Sequence, residues 1–288
     1  MKPIYRSAEG ERLVRERCLA FLEHWPVPNR QVRIPTSQGE TFVVISQATC
    51  SDEGAPPLLL LHGGAGNSAM WMGEVRTFAA HFHVYAIDMI GEAGLSAPSS
   101  PPLASDAYAL WLDDVLGSLG LDRVSIVGVS LGGWLALDYA TRRPERIERL
   151  AVLCPAGIGR QKLGIVFATF ALRLFGDRGR RKLSERILGR PPANASPGLK
   201  AFINFVALIH EHFRSRMVKI PSFSDEALRR LKMPVLTIAG ARDVLLDSVG
   251  TRTRLQRHVP RSEVVFLAEA GHVILGQTAK VLAFLTQK

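Results

Sequence analysis

A serine flanked by two glycines is the strongest chemical signal in the sequence. Gly128 and Gly132 lie two residues before and two residues after Ser130, in the pattern G-V-S-L-G. The apolar run RVSIVGVS ends at the serine, and the helical pattern LGGWLALDYA follows it. A tight strand-to-helix turn needs small residues at both positions, and it exposes the serine hydroxyl at a helix N-terminus. We therefore predict a nucleophile elbow with Ser130 as nucleophile; a glycine-rich turn that only packs a strand against a helix is the alternative.

Two later residues have the types that a serine nucleophile needs, because its hydroxyl requires a histidine base that a carboxylate orients. Asp243 follows the apolar run PVLTIAG, and His272 follows EVVFLAE. Each lies just past the predicted C-terminal end of a strand, where α/β sheets bind ligands. Asp247 is the rival acid. The alternative roles are a helix cap or an ion pair with Arg242 for the aspartate, and a surface or core residue for the histidine. We predict the triad Ser130, His272 and Asp243.

A glycine-rich loop, HGGAGNS, follows the apolar run PPLLLL. Such a loop leaves backbone N–H groups free to stabilise the oxyanion of a tetrahedral intermediate. We predict the N–H groups of Gly64 and Leu131 as the donors, with Ala65 as the alternative to Gly64. His62 is predicted to brace the loop. A phosphate site is disfavoured, because the loop lacks both the Lys-Ser/Thr ending and the G-x-G-x-x-G spacing.

The elements that must position these residues alternate along the chain from about Arg30, which predicts an α/β protein with a mostly parallel sheet. The runs QVRIP and ETFVVISQ predict an opening hairpin. Near-continuous apolar runs predict buried strands at 56–63, 83–90, 123–130, 149–156, 234–240 and 263–269. Helical patterns supply the crossovers at 72–81, 104–119, 131–143, 247–258 and 274–287.

One segment, residues 157–224, interrupts this alternation and has no strand signal. Amphipathic patterns predict helices at 161–175, 180–188 and 197–216, which together form a helical cap over the edge of the sheet. The predicted domains are an N-terminal helical segment (1–29), a core (30–156 and 225–288) and the cap (157–224).

Taken together, these residues resemble the α/β-hydrolase fold family, over most of the chain from about Gln31 to Phe284. The matching motifs are the HGG loop at His62, the D-x-x-G-x-x-G-x-S segment from Asp88, the G-x-S-x-G at Ser130, the G-x-x-D at Asp243 and the G-H at His272. The resemblance implies an α/β-hydrolase fold with about eight strands and a helical cap. It also implies that Asp88 anchors a turn through backbone N–H groups and is not catalytic.

Differences within the family narrow the chemistry that the resemblance implies. Haloalkane dehalogenases and epoxide hydrolases carry Asp where this chain has Ser130. Proline iminopeptidases have HGGPG and G-G-S-W-G where this chain has HGGAG and G-V-S-L-G. The resemblance therefore implies a capped serine hydrolase, of the carboxylesterase or proline iminopeptidase-like branch, that cleaves a small carboxylic ester through an acyl-enzyme. The alternatives are hydrolysis of a C–C bond, a lactone or an amide, or a non-catalytic ligand-binding protein.

Composition excludes several classes of protein. The 288 residues are 47% hydrophobic and 22% charged, which is typical of a globular protein. Apolar stretches fall short of the roughly 20 residues that span a membrane, and no apolar core follows the basic residues near Met1. Three widely separated cysteines predict neither a disulfide framework nor a zinc site. We expect a cytoplasmic protein that begins near Met1 and has no transmembrane segment, metal or cofactor.

The formal net charge of +10 raises nucleic acids and anionic surfaces as partners. The predicted cap holds 13 Lys and Arg against three Asp and Glu, whereas the rest of the chain balances at 23 of each sign. No nucleic-acid-binding motif is present, so no nucleic acid is expected. Two interpretations of the cap remain: a solvated surface, or a surface that attracts an anionic ester substrate or an acidic membrane. The sequence does not define the oligomeric state.

Overall fold

The computed structural model of the chain describes residues 3–49, 54–162, 196–216 and 218–287. Its centre is one eight-stranded sheet. The strands are β1 (Arg30–Ile34), β2 (Thr41–Ser46), β3 (Pro57–Leu61), β4 (His83–Ile87), β5 (Val124–Val129), β6 (Ile147–Leu153), β7 (Val235–Gly240) and β8 (Ser262–Leu267). Their order across the sheet is β1-β2-β4-β3-β5-β6-β7-β8.

The pairing of these strands confirms the predicted hairpin and the mostly parallel sheet of about eight strands. β2 runs antiparallel to both of its neighbours, β1 and β4, and the remaining neighbours pair in parallel. The carboxyl ends of β5, β7 and β8 therefore meet at one edge of the sheet, which is where the predicted nucleophile, acid and base follow their strands.

Helices cover both faces of the sheet. They are α1 (Ala8–Leu22), α2 (Val75–Ala79), α3 (Ala107–Leu119), α4 (Leu131–Arg142), α5 (Pro197–His212), α6 (Asp225–Arg229), α7 (Ser248–His258) and α8 (Thr278–Leu285). Consecutive leucines of β3 alternate between two cores. Leu59 and Leu61 pack with residues of α3, α4, α6 and α7, whereas Leu58 and Leu60 pack with residues of α1, α2, α5 and α8.

Two predicted helices have different bounds in the structure. The pattern at 72–81 forms only the short α2, which a 3₁₀ turn, Ser68–Trp71, precedes; Gly73 lies between the two, since glycine weakens a helix interior. The pattern at 274–287 becomes helical only at Thr278, because Gly276 adopts a left-handed φ of 69°. In both cases glycine outweighs the hydrophobic periodicity on which the prediction rested.

Half of the predicted cap lies outside the described residues, including nearly all of the helices predicted at 161–175 and 180–188. The third predicted cap helix is present as α5, which ends at His212, four residues earlier than expected. Beyond it, the backbone turns extended at Phe213 and forms a β-bridge with Tyr5. The domain boundaries at 29, 156 and 224 stay predictions.

The N-terminal segment packs against α5. The Phe21 ring stacks on Phe205 with centroids 5.0 Å apart. The N–H of Arg6 donates to the carbonyl of His212, and the N–H of Arg214 donates to the carbonyl of Ile4, both at 2.8 Å. The first 22 residues therefore hold the C-terminal end of the predicted cap. Within the described part of the chain, no helix has the length and hydropathy needed to cross a membrane.

Candidate active site

Ser130 occupies the sharp turn between β5 and α4. Its backbone has φ 51° and ψ −106°, a conformation that a residue with a Cβ adopts only when its surroundings impose it. Two backbone hydrogen bonds hold the turn: the Ser130 N–H donates to the Leu153 carbonyl, and the Ser130 carbonyl accepts from the Trp134 N–H, both at 2.9 Å. This geometry is that of the predicted elbow.

Close backbone contacts explain the two glycines that flank Ser130. A Cβ on Gly128 would lie 2.6 Å from the carbonyl oxygen of Gly132. A Cβ on Gly132 would overlap the carbonyl oxygens of Leu61 and His62. Neither position has space for a side chain, so the spacing G-x-S-x-G follows directly from how tightly the turn packs against β3 and its loop.

The structure brings the three residues of the predicted triad together. Ser130 Oγ lies 2.9 Å from His272 Nε2, and His272 Nδ1 lies 2.8 Å from Asp243 Oδ2. Asp243 is 2% exposed and His272 is 8% exposed. With the ring proton on Nδ1, the imidazole donates to the carboxylate and leaves Nε2 free to accept the serine proton. The three side chains thus form a continuous hydrogen-bonded chain from nucleophile to acid.

The two candidate acids, Asp243 and Asp247, both follow β7 but have different hydrogen-bond partners. Asp243 Oδ1 accepts from the N–H groups of Leu245 and Leu246 at 2.7 and 3.0 Å, which fixes the carboxylate. Asp247 instead caps α7, where its side chain accepts from the Gly250 N–H at 2.9 Å. Arg242 pairs with Glu269, so it does not pair with Asp243. In this structure Asp243 contacts His272, and its rival is a helix cap.

The predicted oxyanion donors are neighbours. Leu131 is the first residue of α4. The first hydrogen bond of this helix runs from the Trp134 N–H to the Ser130 carbonyl, so the Leu131 N–H lies before the bonded part of the helix. A Cβ on Gly64 would lie 3.6 Å from Leu131 Cδ2. The N–H of the alternative, Ala65, donates to Glu92 Oε2 at 2.6 Å. The Gly64 N–H donates to none of the described residues. Of the two alternatives, Gly64 and Ala65, Gly64 is therefore the one whose N–H is available to an oxyanion.

Buried side chains hold the glycine-rich loop from below. His62 Nδ1 bonds the Gly63 carbonyl at 2.8 Å, and His62 Nε2 accepts from the Met89 N–H at 3.0 Å. Burial lowers the pKa of His62, so it stays neutral. Asp88 accepts from the N–H groups of Ser68 and Leu95 at 2.6 and 2.7 Å. Both residues therefore have the bracing contacts expected of them.

Two residues near the site were missed by the motif analysis. Glu92, inside the D-x-x-G-x-x-G-x-S segment, reaches the glycine-rich loop, as described above. Lys162 Nζ donates to the backbone carbonyl of Asp243 at 2.6 Å. An acid in an otherwise apolar stretch was the available signal for Glu92, whereas nothing local distinguishes Lys162 from the other cations of the predicted cap.

Both ends of the predicted cap are tied to the core beside the site. At its start, Gln161 forms a β-bridge with Leu246, in the loop of the candidate acid. At its end, the Arg216 guanidinium donates to the Tyr108 hydroxyl at 2.9 Å and to two carbonyls of the loop after β4, Ser100 and Pro101. Residues 163–195 lie outside the described part of the chain, and the two attachment points on either side of them flank the same edge of the sheet.

Comparison with known proteins places this geometry in a family. A family model described as the alpha/beta hydrolase fold matches residues 56–278. Carboxylesterase YbfK of Bacillus subtilis (strain 168) is 30% identical over 259 residues, which cover 88% of this chain and 85% of that protein. An uncharacterised carboxylesterase, nap, of the same strain is 29% identical over 275 residues, 88% of this chain and 84% of that protein.

Solved structures show the same architecture. The crystal structure of naproxen esterase from Bacillus subtilis superposes with a TM-score of 0.80 at 26% identity, covering 98% of this chain and all of that one. The structure of carboxylesterase CesB (YbfK) gives a TM-score of 0.81 at 27% identity and covers 97% and 99% of the two chains. Because the family model spans most of the chain and the fold agrees over nearly its full length, this protein belongs to the α/β-hydrolase fold family.

Proposed function

We propose that this protein is a serine hydrolase that cleaves small carboxylic esters through an acyl-enzyme. The observation that carries the proposal is the hydrogen-bonded chain from Ser130 Oγ through His272 to Asp243, with distances of 2.9 and 2.8 Å. The relatives named as carboxylesterases, similar over more than four fifths of the chain, support an ester as the substrate. The serine in the elbow supports a covalent intermediate.

Acylation begins when His272 Nε2 accepts the Ser130 Oγ proton as the oxygen attacks the ester carbonyl carbon. The carbonyl electron pair moves to oxygen, and the N–H groups of Gly64 and Leu131 stabilise that oxyanion. Collapse of the intermediate breaks the bond to the leaving alkoxide, which takes the proton from His272 and departs as the alcohol. Asp243 stabilises the imidazolium that forms between the two transfers.

Deacylation repeats these steps with water as the nucleophile. His272 accepts a proton from water as its oxygen attacks the acyl-enzyme, and it then returns that proton to Ser130 Oγ as the carboxylic acid is released. The prediction that the cap covers an acyl pocket is supported by its described attachments at Gln161 and Arg216, which flank the catalytic edge of the sheet.

Covalent labelling tests the nucleophile. A fluorophosphonate probe is expected to label the wild-type protein and the Ser125→Ala variant, but not Ser130→Ala. Ser125 is a matched control because it is a buried serine on the same strand, β5, away from the elbow. A folded wild-type protein that takes no label would contradict the enzyme proposal and favour a ligand-binding protein.

A substrate panel tests the bond. We expect turnover of p-nitrophenyl esters of increasing acyl length, and a loss of at least ~10³-fold in kcat/KM for Ser130→Ala. Lactone, amide and diketone substrates are measured in parallel, since the same triad can cleave them. Turnover of amides or diketones without esters would overturn the ester assignment.

A further inference from the structure

Two consecutive peptide groups of the glycine-rich loop are held by buried side chains. The first joins Gly63 to Gly64, and His62 Nδ1 bonds its carbonyl oxygen at 2.8 Å. In a planar trans peptide the C=O and N–H groups point in opposite directions. The bond from His62 therefore also sets the direction of the Gly64 N–H, one of the two proposed oxyanion donors.

The next peptide group joins Gly64 to Ala65, and its N–H donates to Glu92 Oε2 at 2.6 Å. Ala65 has a left-handed φ of 55°, which is disfavoured for any residue with a Cβ. The loop leaves little room for relaxation, because a Cβ on Gly66 would lie 2.9 Å from the Gly63 carbonyl oxygen. The hydrogen bond to Glu92 is thus the polar contact that holds Ala65 in this conformation.

Glu92 sits in an unusual place for a carboxyl group. It is 5% exposed, and it lines a narrow pocket together with Leu131, Tyr108 and Leu135. Within the described parts of the chain, the Ala65 N–H is the only hydrogen-bond partner of its side chain. Burial raises the pKa of Glu92 to about 7, against the opposing effects of the Ala65 N–H and the Arg216 charge.

A contribution to folding stability does not explain why the Glu92 carboxyl group is buried. Removing it from water costs folding free energy that one hydrogen bond only partly offsets. Carboxyl groups with perturbed pKa values concentrate at functional sites. Here the carboxyl touches the loop that supplies one proposed oxyanion donor and lines the same pocket as Leu131, which supplies the other.

We propose that Glu92 is a positioning residue for the oxyanion hole: by accepting the Ala65 N–H, it orients the Gly64–Ala65 peptide and keeps the Gly64 N–H available to the substrate oxyanion. The inference rests on the proposed ester hydrolysis and deepens it. Among the described residues the Glu92 side chain hydrogen-bonds Ala65 and no member of the triad. Its effect is exerted through the loop and is felt in the transition state, where the oxyanion carries its full charge.

Three variants of Glu92 separate this role from packing. Glu92→Met keeps the size of the side chain and removes the acceptor. Glu92→Asp keeps the acidic group but is one methylene too short to reach Ala65. Both are expected to lower kcat about 10- to 100-fold, below the full loss of an oxyanion donor, and to leave KM within about twofold. Glu92→Gln restores an acceptor oxygen at the same reach and is expected to keep kcat within about threefold of the wild type.

A transition-state analogue provides the second measurement. Binding of a trifluoromethyl ketone should weaken in Glu92→Met and Glu92→Asp by the same factor as kcat, because both depend on the oxyanion donors. Glu74→Met is the matched control, since Glu74 is a half-buried glutamate with a raised pKa at the start of α2, away from the loop. It is expected to retain the wild-type kcat.

The outcomes distinguish the two proposals. A wild-type protein that neither turns over esters nor takes the fluorophosphonate contradicts the proposed function. An active wild type with unchanged kcat and inhibitor affinity in the folded Asp or Met variant contradicts the role of Glu92 alone. A fall in thermal stability without a fall in kcat would assign Glu92 to packing, and so would a Gln variant as slow as the Met variant.

Discussion

The two carboxylate oxygens of Asp243 have different partners. Oδ1 accepts two backbone N–H groups of its own loop, and Oδ2 faces His272 Nδ1. The first set of bonds fixes the side chain, so that the second can hold the imidazole in one tautomer. A single residue thus couples the local geometry of the loop after β7 to the tautomer and orientation of a histidine 29 residues further along.

Asp243→Asn tests this coupling. The amide oxygen is expected to keep the bonds to Leu245 and Leu246, which turns the NH₂ group towards His272 Nδ1. The ring proton then moves to Nε2, which can no longer accept the Ser130 proton, and kcat should fall about 10³- to 10⁴-fold. Steady-state kinetics and thermal unfolding measure the two effects.

The matched control is Asp247→Asn, because asparagine caps helices as well as aspartate does. It should change kcat by less than about threefold. A comparable loss of kcat in both variants would contradict the assignment of Asp243 as the acid.

At the scale of elements, α1 and α5 form a unit that the chain order does not suggest. Phe21 of α1 lies against both Phe202 and Phe205 of α5. The residues just before α1 also form backbone hydrogen bonds with the residues at the end of α5. Gly10 is required at the crossing, since a Cβ there would lie 2.7 Å from the His212 ring. The N-terminal helix therefore supports α5, the described helix of the predicted cap.

Phe205→Ala is expected to lower the free energy of unfolding by about 3 to 4 kcal/mol, because it opens a cavity at a residue that is 2% exposed. Phe202→Ala, at a half-buried ring on the same helix, should lose about 1 kcal/mol. Urea denaturation measures both values. Equal losses would show that the stacked contact between Phe21 and Phe205 does not anchor α5.

At the scale of the whole molecule, the positive charge is unevenly distributed. The excess belongs to residues 157–224, and six of their 13 cations lie in the described ranges. Arg216 and Lys162 bond the core beside the site, through backbone carbonyls and the Tyr108 hydroxyl. These two side chains attach the cap close to the catalytic edge of the sheet.

We expect this charge to steer anionic substrates. For an ester with a carboxylate in its acyl part, kcat/KM should fall about tenfold between low and high salt, because ions screen attraction over distances beyond the Debye length. A neutral ester of the same size is the control and should respond little. An identical salt response of the two esters would leave the cap as a solvated surface without a role in binding.

Local patterns in the sequence predicted the order of the strands and helices in the described part of the chain, and the tight turn at Ser130. Each depends on residues close in sequence: apolar runs mark buried strands, and a tight turn excludes side chains from its own neighbours. The same logic was less accurate at helix ends, where Gly73 and Gly276 shorten the helices.

The tertiary structure decided what local patterns left open: contact of His272 with Asp243 and not with Asp247, an Ala65 N–H that Glu92 occupies, and the packing of α1 on α5. These contacts join residues that lie tens to hundreds of positions apart. Asp243 and Asp247, by contrast, lie in one loop and differ in the direction of their side chains. Periodicity along the chain reports which face of an element is apolar, but it carries no information on which distant side chain will meet a given polar atom. That choice is made when the sheet brings the carboxyl ends of its strands together.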